Sequence, residues 1–303
     1  MFFGTMLQLQ MQLFLLMIIG YICTKIKLIS KEAQGSLSDI LIYVVLPCNI
    51  IAGFTSGIAV DRQLLINSIS ALVISLVIQL IATYGSKIIF KKWPGNKAQV
   101  ASYGMIVSNS SFIGIPVMQC LYGNMGVLLT AIFQIPIRFT MWSAGLAIFT
   151  DVDKKTVVKK VLLHPCIIAC FIGFEMMLMQ ISFPGFLGDT VAALSHCTGP
   201  LSMLVIGSIL AGVDVRNLFD RYTIMFVLLR LIIYPMVVLA ALNIIHVDAT
   251  LTGVSVLLTG MPAGSTCAIL ARKYRGDAEY GASLIFVSTL FSIVTLPIIA
   301  LLF

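Results

Sequence analysis

The sequence predicts an all-α integral membrane protein of ten transmembrane helices, and three observations carry that prediction. Hydrophobic residues fill 59% of the 303 positions and charged residues only 10%, with a mean hydropathy of +1.06, whereas a soluble domain is about a quarter charged. Ten helices of about 21 residues use roughly 210 positions and leave only short connections. The cationic residues then fall almost entirely on alternate connections.

Apolar runs bounded by charge, Gly or Pro lie at roughly 6–24, 36–56, 64–90, 99–122, 126–149, 162–182, 190–212, 222–245, 249–271 and 280–303. The first is followed by Lys25, Lys27 and Lys31, and the third by Lys87, Lys91, Lys92 and Lys97. The fifth is followed by Lys154, Lys155, Lys159 and Lys160, the seventh by Arg216 and Arg221, and the ninth by Arg272, Lys273 and Arg275. Sixteen of the 19 Lys and Arg residues therefore sit on odd-numbered connections, and only Arg62 sits on an even-numbered one. This asymmetry places the odd connections in the cytoplasm and both termini outside, in a cytoplasmic (inner) membrane. The formal charge of +7 is then a matter of basic loops facing anionic membrane lipid, not of nucleic acid. The seven cysteines lie in apolar stretches with no CxxC, so neither a metal nor a disulfide framework is expected. No Lys or Arg precedes Cys23, so no cleavable signal is expected.

The chain also repeats itself. An offset of 153 aligns Gly20-Tyr21 with Gly173-Phe174 and Pro47-Cys48-Asn49 with Pro200-Leu201-Ser202. An offset of 146 brings Gly114-Ile115-Pro116 onto Gly260-Met261-Pro262. Five spans per half is odd, so the halves, 1–150 and 151–303, enter the membrane from opposite faces. Inverted repeats with matching interrupted helices point to a secondary transporter.

Pro116 and Pro262 each sit near the middle of a span, two residues after Gly114 and Gly260. Proline removes a donor and clashes with the preceding turn, while glycine tolerates the irregular backbone that results. The freed groups must be buried in protein or line a wet cavity. Half-helices restarting at Pro116, and at Pro262 with Ala263, Gly264, Ser265 and Thr266, would turn bare amides and positive dipole ends toward the midplane. Two such ends suit an anion, most simply a carboxylate. The polar run Ser108, Asn109, Ser110 and Ser111 is expected to face a cavity, a ligand or another helix.

These residues resemble the auxin efflux carrier family over essentially the whole chain. The likeness rests on Asn109-Ser110-Ser111-Phe112-Ile113-Gly114-Ile115-Pro116, Leu46-Pro47-Cys48-Asn49, Met261-Pro262-Ala263-Gly264 through Ala271-Arg272-Lys273-Tyr274, Ser288-Thr289-Leu290-Phe291-Ser292 and Leu296-Pro297. It is nearest to the prokaryotic members. The long cytoplasmic loop of many plant members is replaced by Asp151–Lys160, which argues against auxin itself. The resemblance implies ten helices in two inverted five-helix repeats, as in bile-acid-type sodium symporters. It implies a scaffold of helices one, two, six and seven beside a transport domain of the other six. It further implies that the fourth and ninth helices cross at Pro116 and Pro262, and that the cargo is a small carboxylate such as malonate or malate.

Arg138, Glu175 and Arg230 are the charged residues deep in spans, each costing about 2.5–3.5 kcal/mol at a helix centre on insertion scales. Either arginine could fork a substrate carboxylate, and Glu175 could serve as a gate or proton site. A structural ion pair, or an Arg230 that snorkels, remains the alternative. Asn49 and Ser202 follow matching prolines and line the path or pack helices, and helices two and seven are the expected contact of a homodimer. No cofactor is expected; a coupling ion would be H⁺ or Na⁺, and facilitated diffusion needs neither. The expectation is a secondary carrier of a small organic anion working by alternating access, with an anion channel as the alternative. An integral-membrane enzyme or receptor is disfavoured, because no HExxH, GxSxG, P-loop or intramembrane His/Asp cluster occurs.

Overall fold

The computed structural model describes residues 2–55, 62–149, 159, 162–212, 218–264, 266–274 and 276–303. Among them the regular structure is helical: α1 (Phe2–Lys25), α2 (Lys31–Phe54), α3 (Arg62–Ile89), α4 (Gly95–Ile106), α5 (Ser110–Ile148), α6 (Pro165–Leu178), α7 (Gly185–Leu210), α8 (Arg221–Ile244), α9 (Ala249–Thr259), α10 (Thr266–Lys273) and α11 (Ala278–Ala300). Six of these, α2, α3, α5, α7, α8 and α11, are long and apolar enough to cross a membrane. Several begin where a side chain accepts an orphan amide of the first turn. Asp220 takes the Thr223 amide at 2.7 Å, Asp248 that of Leu251 at 3.1 Å and Asp277 that of Tyr280 at 2.9 Å.

Helix α3 shows which solvent the protein was built for. Its buried face is mostly small or polar, with Ser68, Ala71, Ser75, Gln79, Ala82, Thr83 and Ser86 at helical spacing and Leu64 and Ile78 as the large apolar members. Its exposed stripe is Ile69, Val73, Leu76, Leu80, Tyr84 and Ile88. Apolar side chains facing outward and small residues between helices are the pattern of a bundle in lipid. This is a multi-pass membrane protein.

Helix α5 is two helices in one label. Gly123 has φ +57°, which an L side chain rarely adopts. Three residues on, a Cβ built on Gly126 would stand 2.4 Å from the Met118 carbonyl oxygen. In a straight helix, residues eight apart are about 12 Å apart, so the chain doubles back at Gly123. The doubling brings Gln134 within hydrogen-bond distance of Ser110 and Ser111. This is the turn that the sequence boundaries 99–122 and 126–149 anticipate.

Proline does not break the helices where expected. A five-residue π-turn immediately precedes each of three Xaa-Pro steps: Leu41–Val45 before Leu46-Pro47, Ser110–Gly114 before Ile115-Pro116, and Leu229–Ile233 before Tyr234-Pro235. The wider turn relieves the clash between the proline ring and the carbonyl one turn back. Pro116 thus lies inside a continuous rod, and the interruption falls earlier, at residues 107–109. Its supposed counterpart Pro262 does lie in an interruption, between α9 and α10. The offset of 146 therefore matched two prolines in different structural roles.

Two pairs of helices pack closely through glycine. A Cβ on Gly20 of α1 would stand 2.2 Å from the Leu204 oxygen of α7, and one on Gly207 of α7 would stand 1.9 Å from the Met17 oxygen of α1. On α6, Gly173 fits against Phe54 of α2 with Cβ contacts of 2.9–3.0 Å. Gly20 and Gly173 are the residues that the offset of 153 aligns. Elsewhere, Lys97 pairs with Asp220 and lies over the Tyr222 and Tyr280 rings. Partial burial pushes the Asp220 carboxyl up, but Lys97 and the Thr223 amide outweigh it and hold the group below its usual range.

The glycine contacts yield a first prediction. Gly207→Ala drives a methyl into the α1 backbone and should destabilise the protein by about 1–3 kcal/mol. Gly85→Ala meets nothing within 4 Å and should stabilise α3 by about 0.5–1 kcal/mol. Thermal unfolding of both variants in detergent checks the pair: opposite signs are expected, and an unchanged Gly207→Ala midpoint contradicts the packing.

Candidate functional site: two interrupted helices and two buried arginines

The two interruptions are bonded to each other. Ser108 pairs with Ala263 in an isolated antiparallel bridge. The Asn109 amide donates to the Pro262 carbonyl at 2.8 Å, and the Gly264 amide donates to the Val107 carbonyl at 2.9 Å. Each bond is the counterpart of the other under an offset of 155, the distance from Ser108 to Ala263 along the chain. The Ala263 amide goes to the Ser288 hydroxyl of α11 at 3.2 Å. Residues 108–110, 260–264 and Gly114 are all buried, while Pro116 and Thr266 are half-buried. Thr266 bonds Tyr103 through its hydroxyl at 2.9 Å. Ser265 lies outside the described residues.

Arg230, 2% exposed, is committed to this backbone. Its Nε donates to the Met261 carbonyl at 3.0 Å and its Nη1 to the Met105 carbonyl at 2.7 Å. Met105 lies in the last turn of α4 and Met261 inside the second interruption, so one guanidinium serves a carbonyl from each of the two interrupted segments. The Tyr234 ring lies 5.8 Å from the same guanidinium. With its fork already spent on carbonyls, Arg230 has the geometry of a structural pin.

Arg138, 9% exposed, is placed differently. Its Nη2 donates to the Ser111 hydroxyl at 2.8 Å and to Gln134 Oε1 at 3.2 Å, and its Nη1 lies 3.3 Å from His164 Nε2. Ser111 itself donates to Gln134 Oε1 at 2.7 Å, and Gln134 Nε2 donates to the Ser110 carbonyl at 3.2 Å. The positive charge therefore stands beside the first turn of the restarted helix. There the first backbone bond is donated by Ile113 to Asn109, so the amides of Ser110, Ser111 and Phe112 precede the ladder. Asn109, 4% exposed, points a side-chain Nδ2 that is buried and without a partner.

No carboxylate answers either arginine among the described residues, where the one ion pair is Lys97–Asp220. Glu175 lies in the last turn of α6, exposed, because the helix ends at Leu178. The sequence reading, which runs that span to 182, set it deeper and within reach of the arginines. Asn49 gives its amide to Ser195 Oγ of α7 at 2.8 Å, an α2–α7 contact. Ser202 reaches the Phe112 carbonyl at 3.0 Å, linking α7 to the restarted helix. His164 carries no local signal of function in the sequence; only its contact across the fold reveals the link to Arg138. A cavity of ≈ 230 Å³ between α1, α7 and α11 is lined by apolar residues such as Phe14, Met17, Tyr21, Phe286 and Leu290. A smaller pocket beside it reaches Ile113, Thr289 and Ser292.

An apolar helical bundle that keeps interrupted backbone and cationic side chains at its centre has the build of a membrane transporter. The family model described as "Membrane transport protein" matches residues 5–300, and the chain belongs to that family, as the resemblance to the auxin efflux carriers leads one to expect. An uncharacterized transporter of Methanothermobacter thermautotrophicus is 26% identical over 291 residues, covering 93% of each chain. An uncharacterized transporter of Methanocaldococcus jannaschii is 22% identical over 297 residues, covering 94% of each. Family and relatives are transporters and not enzymes.

The pin yields the second prediction. Arg230→Met orphans two buried carbonyls at about 1–3 kcal/mol each, so unfolding should come about 2–6 kcal/mol earlier. Arg138→Met removes no backbone partner and should lower the midpoint far less. Equal losses in a detergent thermal melt contradict the division of roles.

Proposed function

We propose that the protein is a secondary carrier that moves a small organic anion, a mono- or dicarboxylate such as malonate or malate, across the cytoplasmic membrane by alternating access. The observation that carries this reading is the unanswered positive charge of Arg138 beside the first turn of a restarted helix. A buried cation in lipid is costly unless something negative joins it. Arg138 offers a fork, the bare amides offer further donors, and Asn109 Nδ2 is a donor without an acceptor. All three ask for the same chemistry, a carboxylate.

The frame of the reading is ten helices in two inverted five-helix repeats, with the fourth and ninth crossing at 107–109 and 260–264. The doubling at Gly123 supports it. So does the direct bonding of the two interruptions to each other, which brings residues 107–109 of the first half against 262–264 of the second. Gly20 seated on α7 and Gly173 seated on α2 are likewise counterparts. On this reading α1, α2, α6 and α7 form the scaffold and the remaining helices carry the site between faces. The basic connections face the cytoplasm and the termini lie outside. A homodimer would use α2 and α7, where Tyr43, Val44, Phe186 and Leu187 stay exposed. H⁺ or Na⁺ would be the coupling ion.

Uptake of radiolabelled malonate and malate into proteoliposomes tests the proposal. Arg138→Gln and Asn109→Ala should each weaken substrate binding about tenfold or more, the scale of a hydrogen bond to a charged group. Asn109→Ala should do so with an unchanged melting midpoint, since the lost amide nitrogen has no partner to orphan. Wild-type uptake in both variants rejects the site. Unitary currents in a planar bilayer would identify a channel instead of a carrier.

A further inference from the structure

His164 stands immediately before α6, and both of its ring nitrogens face donors. Its Nδ1 accepts the Cys166 amide at 3.3 Å and caps the helix, while its Nε2 lies 3.3 Å from Arg138 Nη1. A backbone amide and a guanidinium can only donate, and a neutral imidazole has one lone-pair nitrogen. The tautomer that caps α6 points Nε2–H at the guanidinium. The tautomer that accepts from Arg138 points Nδ1–H at the Cys166 amide. Protonation leaves no acceptor at all. No state of the ring satisfies both neighbours, so the contact as it stands is incomplete.

An anion between Nε2 and Nη1 completes it. Nδ1 then keeps the Cys166 amide, and Nε2–H and Nη1–H donate to the same negative group. We infer that His164 is the second donor of the substrate site, the carboxylate being clamped between Arg138 of α5 and His164 at the head of α6. The inference rests on the carboxylate reading above and adds to it a named residue and a place. The clamp spans α5 and α6, two elements that otherwise touch through such contacts as Cys170 with the Ala131 carbonyl. The two donors meet directly, so the anion enters by parting them and then ties them together. A carrier needs a contact of this kind between its moving and fixed parts, made with cargo and strained without it.

The other titratable side chains on the surrounding elements are Cys166, Cys170 and the exposed Glu175 of α6, Cys120 and Tyr122 of α5, Tyr43, Cys48 and the exposed Lys31, Glu32 and Asp39 of α2, and Lys159 upstream. None of the carboxylates among the described residues forms an ion pair with Arg138 or the ring. The clamp therefore has two donors and no resident acceptor.

The test uses the full chain purified in detergent, with malonate and malate as probes. His164→Asn keeps an oxygen that can cap α6, since Asn is a strong N-cap, but is too short to reach the anion. It should weaken malonate or malate binding about 10- to 100-fold, the scale of a hydrogen bond to a charged group, while the ligand-free melting midpoint holds. In ¹⁵N-histidine spectra of the unaltered protein, the probe should fix one histidine, missing from His164→Asn, as the Nε2–H tautomer. Wild-type affinity in His164→Asn, with affinity lost in Arg138→Gln, overturns the clamp and leaves the carboxylate reading standing. Wild-type affinity in both variants, or no binding of either acid by the unaltered protein, overturns the carboxylate reading and the clamp together. Should His164→Asn fail to fold, the tautomer decides alone: a resonance unmoved by the probe overturns the clamp.

Discussion

In lipid, every backbone amide and carbonyl must find a partner inside the protein, and the rest of this structure follows from how that demand is met at two interrupted helices. An unpaired group in hydrocarbon costs several kcal/mol. The interruption after α4 and the one after α9 meet it by bonding each other, Asn109 to Pro262 and Gly264 to Val107. Ser288 takes the Ala263 amide, and Arg230 takes the Met105 and Met261 carbonyls. These groups are spoken for by one another, which makes the irregular backbone at the centre affordable. The amides at the start of the restarted helix and the side-chain nitrogen of Asn109 are what remains outside this accounting.

The same demand explains what could and could not be read from the sequence. The multi-pass character and the six helices long and apolar enough to cross a membrane were legible because apolar length depends on local composition, and the doubling at Gly123 lies where the boundaries put it. The site of the first interruption was not legible. Pro116 looked like the breaker, yet a π-turn absorbs it, as others do before Pro47 and Pro235. The true interruption at Val107-Ser108-Asn109 carries no proline or glycine. It is extended because residues 262–264 are there to bond it, and a pairing between distant segments leaves no local signal. Glu175 was misplaced for a related reason. Composition continues apolar past Leu178, but the helix does not.

The two buried arginines show how depth alone misleads. By sequence they are alike: single cations near the middle of apolar spans, with no neighbouring acid. Tertiary structure separates them by the character of their partners. Arg230 is aimed at two backbone carbonyls, through Nε and Nη1. Arg138 is aimed at a hydroxyl, an amide oxygen and an imidazole. Two of those groups can turn or retautomerise, and none carries negative charge. A guanidinium held by adaptable neutral partners keeps its charge unanswered, whereas one held by fixed backbone dipoles is already part of the scaffold.

The division also sets what each residue can do when the protein moves. Arg230 ties together the two interruptions themselves, so any displacement that preserves the crossing carries Arg230 along unchanged. Arg138 reaches from the doubled-back half of α5 to the head of α6, so a displacement between those elements must break or remake its contacts. On the proposed carrier reading, energy released by an anion arriving at Arg138 would be coupled to relative motion, while the same anion at Arg230 would have to displace the carbonyls it already holds. Differential contact between two states is the only means by which a ligand shifts an equilibrium. Of the two buried arginines among the described residues, Arg138 is the one that the proposed carrier would use for it.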